Sequence, residues 1–188
     1  WLGWIARVYF AMFTDVNREA SPLERLTTEL GASNAEMAIE GVLALVRKEQ
    51  VTPTNEILRM RGEDKYFPWW YAIIAGLDLY VAQGGRIEDL KDEFLRSALV
   101  IDALFTTFTY KGNTSSQYIH PWKTLILQIR PALAADAYSE LARFDLARSA
   151  QSVFGLHDLL HQSELQPFRQ ATAMTLLTKF PNAPNVSL

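Results

Sequence analysis

Apolar positions recur at helical spacing along nearly the whole chain. Trp1, Ile5, Val8, Tyr9, Met12 and Phe13 fall on one helical face. Ser21-Pro22 predicts a helix start with proline at the first position, a buried face of Leu23, Leu26 and Leu30, and a stop at Gly31. Ser33 and Glu36 have the spacing of a capping box, ahead of a helix that buries Met37, Ile39, Val42, Leu43 and Val46. Thr52-Pro53 repeats the cap-then-proline device before Ile57, Leu58 and Met60. From Pro68 to about Gln83 the pattern is apolar around most of the circumference, which predicts a helix buried on several sides. Gly84-Gly85 ends it. A long helix is predicted from Ile87 to about Phe108, acidic in its first half, where carboxylates complement the helix dipole, and apolar in its second.

The stretch Gly112–Gln117 reads as a polar loop. Pro121 opens the next helix, and Pro131 must end or kink it because an interior proline removes a backbone hydrogen bond. Helical stretches follow from Ala132 to about Phe144, near Leu146–Phe154, over Leu156–His161 and from Pro167 to Phe180, before Pro181-Asn182-Ala183-Pro184. No segment alternates with period two over a strand's length. The flanks of a hairpin turn near Tyr110 are short, so strand content is expected to be near zero.

About nine or ten short helices joined by proline and glycine turns predict an all-α fold of antiparallel helix pairs, either an irregular α-solenoid or an orthogonal helical bundle. Residues 1–188 read as a single helical domain, with Lys65-Tyr66-Phe67-Pro68 dividing it into sub-units 1–65 and 66–188. Because the chain begins at Trp1 within a helical pattern, it reads as a piece of a longer protein.

Composition narrows the function classes. The 188 residues are 49% hydrophobic, with 18 basic and 21 acidic side chains, a net charge of −3 and no cysteine. The apolar share is ample for a core and too high for a disordered chain. Without cysteine there is no disulfide framework, thiolate zinc site or cysteine nucleophile. The charge balance gives no electrostatic case for nucleic acid. The apolar stretches Trp1–Phe13 and Trp69–Ala82 are shorter than a membrane span and carry Arg7 and Asp78. A cytoplasmic protein is expected, with no membrane or nucleic-acid partner.

Few residues carry candidate chemistry. His157 and His161, at i and i+4, share a helical face, and Glu164 follows three residues on. Together they are a candidate metal set. The arrangement resembles the zinc-protease H-E-x-x-H pattern, with Asp158 where that pattern has its glutamate base. The competing reading is a surface helix with Leu156, Leu159 and Leu160 turned inward. His120 precedes Pro121-Trp122 at a helix N-terminus, placed for capping, packing or chemistry. Trp69, Trp70 and Trp122 are candidate binding residues for an aromatic platform, although neighbours on a helix point about 100° apart and so cannot stack together on one ligand. A pocket lined by Trp69, Tyr71, Tyr80 and Phe105 is a further candidate. Asp78, Asp102 and Asp136 lie within apolar helices and need partners, for which Arg96, Arg130 and Arg143 are available. Gly84-Gly85-Arg86 matches no phosphate-loop spacing, and no catalytic residue or cofactor is assigned.

The C-terminal third, with Gly155-Leu156-His157-Asp158-Leu159-Leu160, Pro167-Phe168-Arg169-Gln170-Ala171, Leu176-Leu177 and Phe180-Pro181-Asn182-Ala183, resembles the helix-turn-helix units of HEAT-like repeat proteins. The stretch from Phe67-Pro68-Trp69-Trp70 through Ala98-Leu99 is similar to helical segments of large bacterial defence-associated signal-transducing NTPases. The resemblance implies protein recognition or scaffolding and carries over no catalytic residue. The expected function is a non-enzymatic interaction, scaffold or sensor region of a multidomain protein, with a protein partner or other domains of the same chain. The alternatives are a metal-dependent hydrolase built on His157 and His161 and a helical domain that binds a small ligand.

Overall fold

The computed structural model describes residues 1–13, 15–105, 108–111, 114–117, 119–148, 150 and 152–181. Among them the fold is all-α: α1 (Leu2–Tyr9), α2 (Pro22–Leu30), α3 (Ala32–Arg47), α4 (Thr54–Gly62), α5 (Trp70–Ala82), α6 (Asp92–Leu104), α7 (Pro121–Ile129), α8 (Pro131–Ala147), α9 (Leu156–His161) and α10 (Gln166–Lys179). Between α6 and α7 lies one short antiparallel hairpin, β1 (Phe108–Lys111) and β2 (Thr114–Gln117), with Phe108 opposite Gln117 and Lys111 opposite Thr114. Strand content is therefore small but not nil. The four-residue flanks suffice because backbone bonds across the pair define this ribbon, which needs no period-two apolar pattern. Of the predicted loop Gly112–Gln117, Thr114–Gln117 instead form β2, while Gly112-Asn113 and, at the expected stop, Asn182-Ala183-Pro184 lie outside the described residues.

The helix ends follow local chemistry. At α2 the Ser21 hydroxyl accepts from the Glu24 amide at 3.2 Å, and Glu24 Oε2 accepts from the Ser21 amide at 2.7 Å, a complete capping box. The capping box expected at Ser33 and Glu36 does not form. Gly31, at φ 76°, closes α2 and directly opens α3, which places Ser33 inside the helix. The long helix expected from Ile87 is interrupted as well: residues 87–89 make a 3-10 turn, Leu90 and Lys91 are extended, and α6 starts at Asp92. Among the described residues no separate helix covers Leu146–Phe154: α8 runs to Ala147, and residues 152–155 are not helical. Leu23 and Met37, expected inside, are 53% and 64% exposed.

The helices pack in two rows. Both α3 and α7 lie against α5, and α1 joins them on α3 and α5. The second row runs α4 to α6, α6 to α8 and α8 to α10, with α5 on α6 and α7 on α8 linking the rows. One apolar core runs from Ile5 to Leu165, and a small second cluster of Ala142, Leu146 and Leu176 seats α10. The α5 helix is buried around its circumference, as its pattern predicts. Its Gly76 lies so close to α3 that a Cβ there would fall 2.9 Å from both Val42 O and Val46 Cγ2. Such contact leaves no room for a side chain. Among the described residues no helix is long and apolar enough to cross a membrane.

Candidate functional site

Two features stand out from the core: a polar network that leads to a pocket, and an apolar groove. The network begins with Asp78, carried by α5 into the interior. His120, the residue before α7, directs Nδ1 at Asp78 Oδ2 (2.9 Å) and Nε2 at Asp102 Oδ1 of α6 (3.4 Å). The imidazole is fixed edge-on against Phe10, with ring centroids 5.7 Å apart, and packs beside Trp122. In the first turn of α7, Lys123 Nζ donates to Asp102 Oδ2 and to Asp158 Oδ1 of α9, each at 2.8 Å. Five side chains from four helices and one helix entry thus form a chain from the core to the surface. Asp78 Oδ1, Trp122 Nε1 and Tyr138 OH have no hydrogen-bond partner among the described residues.

Electrostatics differ along this chain. Burial disfavours the charge on Lys123, but the carboxylates of Asp102 and Asp158, each 2.8 Å away, outweigh it and hold the ammonium pKa above its ordinary range. Burial pushes the Tyr138 phenol up, with Lys123 opposing, so the phenol stays neutral. Burial also raises the Asp78 carboxyl; the bond from His120 opposes that shift and the nearby Asp102 reinforces it. The raised value has a sign. Asp78 favours the fold most below 3.8 and disfavours it increasingly as pH climbs through the raised value. Relative to Asp78→Asn, the wild-type chain should therefore lose unfolding free energy as pH rises out of the acid range. Urea midpoints of the two proteins across that range check this, and a constant difference would contradict it.

The outer end of the network opens into a pocket of about 360 Å³. Asp102, Lys123 and Asp158 form its polar wall, Phe105 and Phe154 its aromatic wall, and Ser152 and His157 line it as well. Behind the wall, the Arg61 guanidinium covers the Phe154 ring at 4.4 Å and pairs with fully buried Asp145 (2.7 Å), whose other oxygen accepts from the Phe154 amide (2.9 Å).

The groove, about 1010 Å³, lies between the start of α1, the α3–α4 connection and the entry to α5. Trp1, Trp4, Val51, Pro53, Pro68 and Trp69 contribute to it, and no lining side chain is ionisable. Gly3 lets α1 approach Pro68, where a Cβ would lie 2.8 Å from the Pro68 carbonyl carbon.

The expected site residues divide among these features. Trp69 is half-buried and lines the groove. Trp70 and Trp122 are 1% and 0% exposed and belong to the core, the Trp70 indole donating to Thr52 Oγ1 at 2.8 Å. The three therefore make no shared platform. Trp69 and Phe105 line different cavities, so the pocket expected around Trp69, Tyr71, Tyr80 and Phe105 is not assembled. His157 and His161 do share a face, with ring centroids 4.5 Å apart. Glu164, in the turn Ser163–Leu165, instead accepts from the Ser163 hydroxyl, and Asp158 is engaged by Lys123. Among the described residues no group of three His, Asp or Glu is placed to hold a metal.

Asp78 and Asp102 converge through His120, whereas Asp136 is exposed and lies 3.7 Å from Arg96. The arginines do not serve the buried pair. Arg130 binds Asp92 and the carbonyls of Glu88 and Leu90, and Arg143 reaches back to Ser139 O. Asp78 is met by His120, and Asp102 by His120 and by Lys123, which was not among the expected site residues. Its signal was present: it is the one charged residue in the apolar helix Pro121–Ile129. No family model, curated protein or solved structure matches this chain.

Proposed function

We propose that this chain is a non-enzymatic helical interaction module, HEAT-like in its packing, whose aromatic groove receives apolar side chains of a protein partner. The groove carries the reading: it is large, exposed and free of ionisable side chains, so a charged or strongly polar occupant would lose its hydration without compensation. Trp1 and Trp4, 90% and 36% exposed, and half-buried Trp69 are of the residue type that anchors protein interfaces. The two-row stacking of helices supports the same reading, because stacked pairs present extended surfaces to partners.

The test places a photo-crosslinking phenylalanine analogue at Val51 in the cells from which the chain comes. One discrete protein adduct is expected. With the purified partner, Trp69→Glu should weaken binding by about tenfold or more, or about 1.4 kcal/mol, with helical circular dichroism unchanged. No adduct, or binding indifferent to Trp69→Glu, would overturn the reading.

A further inference from the structure

The pocket at the outer end of the polar network has a composition that neither a protein interface nor core packing requires. Its wall sets two carboxylates, Asp102 and Asp158, against one ammonium, Lys123. The excess charge is negative, and it is fixed: both charge-assisted bonds to Lys123 hold the carboxylates in place before anything binds. Asp158 uses one oxygen for Lys123, and its other oxygen has no hydrogen-bond partner among the described residues. Phe105 and Phe154 belong to the same lining. Phe154 already accepts a guanidinium on its ring, at 4.4 Å from Arg61, and Phe105 lies against Tyr71 with ring centroids 4.4 Å apart.

We propose that this pocket binds a small organic cation, a primary ammonium or guanidinium group carried on a compact apolar body. Three physical requirements select that class. A cation gains from the surplus carboxylate, while Phe105 and Phe154 in the lining give its apolar body a surface to bury against. An anion would meet two carboxylates and reach Lys123 only by breaking an existing pair. A neutral apolar molecule would cover Asp158 without replacing its water. The volume, about 360 Å³, is at the lower end of small-molecule sites. Ser152 and His157 supply polar groups to the lining. The groove and the pocket share no residue, so this site stands apart from the interaction reading and can fail without it.

Calorimetric titration of the full chain tests the assignment with benzylamine, benzyl alcohol and benzoate as probes. Benzylamine should bind saturably at one site, at least tenfold tighter than benzyl alcohol, with no binding of benzoate. Asp158→Asn should weaken benzylamine about tenfold. Ser152→Trp, which fills the lining without altering a charge, should abolish binding while helical content is unchanged; it keeps the test decisive if Asp158→Asn does not fold. Equal affinity for the alcohol, binding of benzoate, unaltered binding in both variants, or no saturable binding at millimolar benzylamine would each overturn the proposal.

Discussion

Lys123→Met lowers the free energy of unfolding by about 3–5 kcal/mol, the cost of breaking a buried ion pair by removing one partner. The side chain reaches Asp102 and Asp158 at 2.8 Å each, and all three groups are largely buried. Methionine fills most of the lysine volume, so the loss reports charge and hydrogen bonding and not a cavity. Two carboxylates would then face each other in a poorly solvated site with only His120 near one of them. Urea unfolding monitored by circular dichroism measures the loss. Adding Asp158→Leu to Lys123→Met should recover a substantial part of it, because it removes the second unpaired charge. A single variant as stable as the wild type would show that the network is hydrated and carries little of the fold.

Asp145→Ala should cost about 3 kcal/mol by the same rule, at its lower end. The carboxylate is fully buried and satisfies three donors: Arg61 Nε at 2.7 Å, Arg61 Nη2 at 3.1 Å and the Phe154 amide at 2.9 Å. Arg61, 22% exposed, can turn toward water when its partner is lost, but the Phe154 amide cannot. Asp145→Asn keeps one acceptor for the Phe154 amide and puts an NH2 where the second oxygen met Arg61, which can turn toward water, so it should cost less, about 1–2 kcal/mol. Chemical denaturation ranks the two. Faster hydrogen exchange at the Phe154 amide in Asp145→Ala would place the loss. Equal cost in both variants would show that charge, not the bond to Phe154, dominates.

The helical class of the fold was legible because helix periodicity and proline-led starts are local signals. Ser21-Pro22 and Pro121 each open a helix as read, Pro131 ends α7 as read and also opens α8, and the all-round apolar pattern after Pro68 marks the central α5. What failed locally failed for local reasons: Gly31 at φ 76° displaced the start of α3, and extended Leu90 and Lys91 split a continuous pattern. The polar network was only half legible. Asp78 and Asp102 were conspicuous as carboxylates in apolar helices, and His120 by its place before Pro121. That these three meet, and that Lys123 and Asp158 complete the chain, depends on how α5, α6, α7 and α9 pack, which no single segment encodes. Nor did the tryptophans announce their fates. Trp69 and Trp70 are neighbours, yet one faces a groove and the other the core.

The six-residue α9 buries only Leu159 as a core side chain, and a helix that short does not persist on its own in water. It is held by Lys123 through Asp158 and by Arg169 of α10, which donates to Leu159 O at 3.0 Å and Gln162 O at 2.9 Å. The order of this segment is thus borrowed from its neighbours. Were α9 to lift away, Lys123 would lose one of its two carboxylates and water would reach the other, which ties the C-terminal segment to Asp102. A protease cutting near His161 would report the energetic state of Asp102, a residue about sixty positions earlier in the chain.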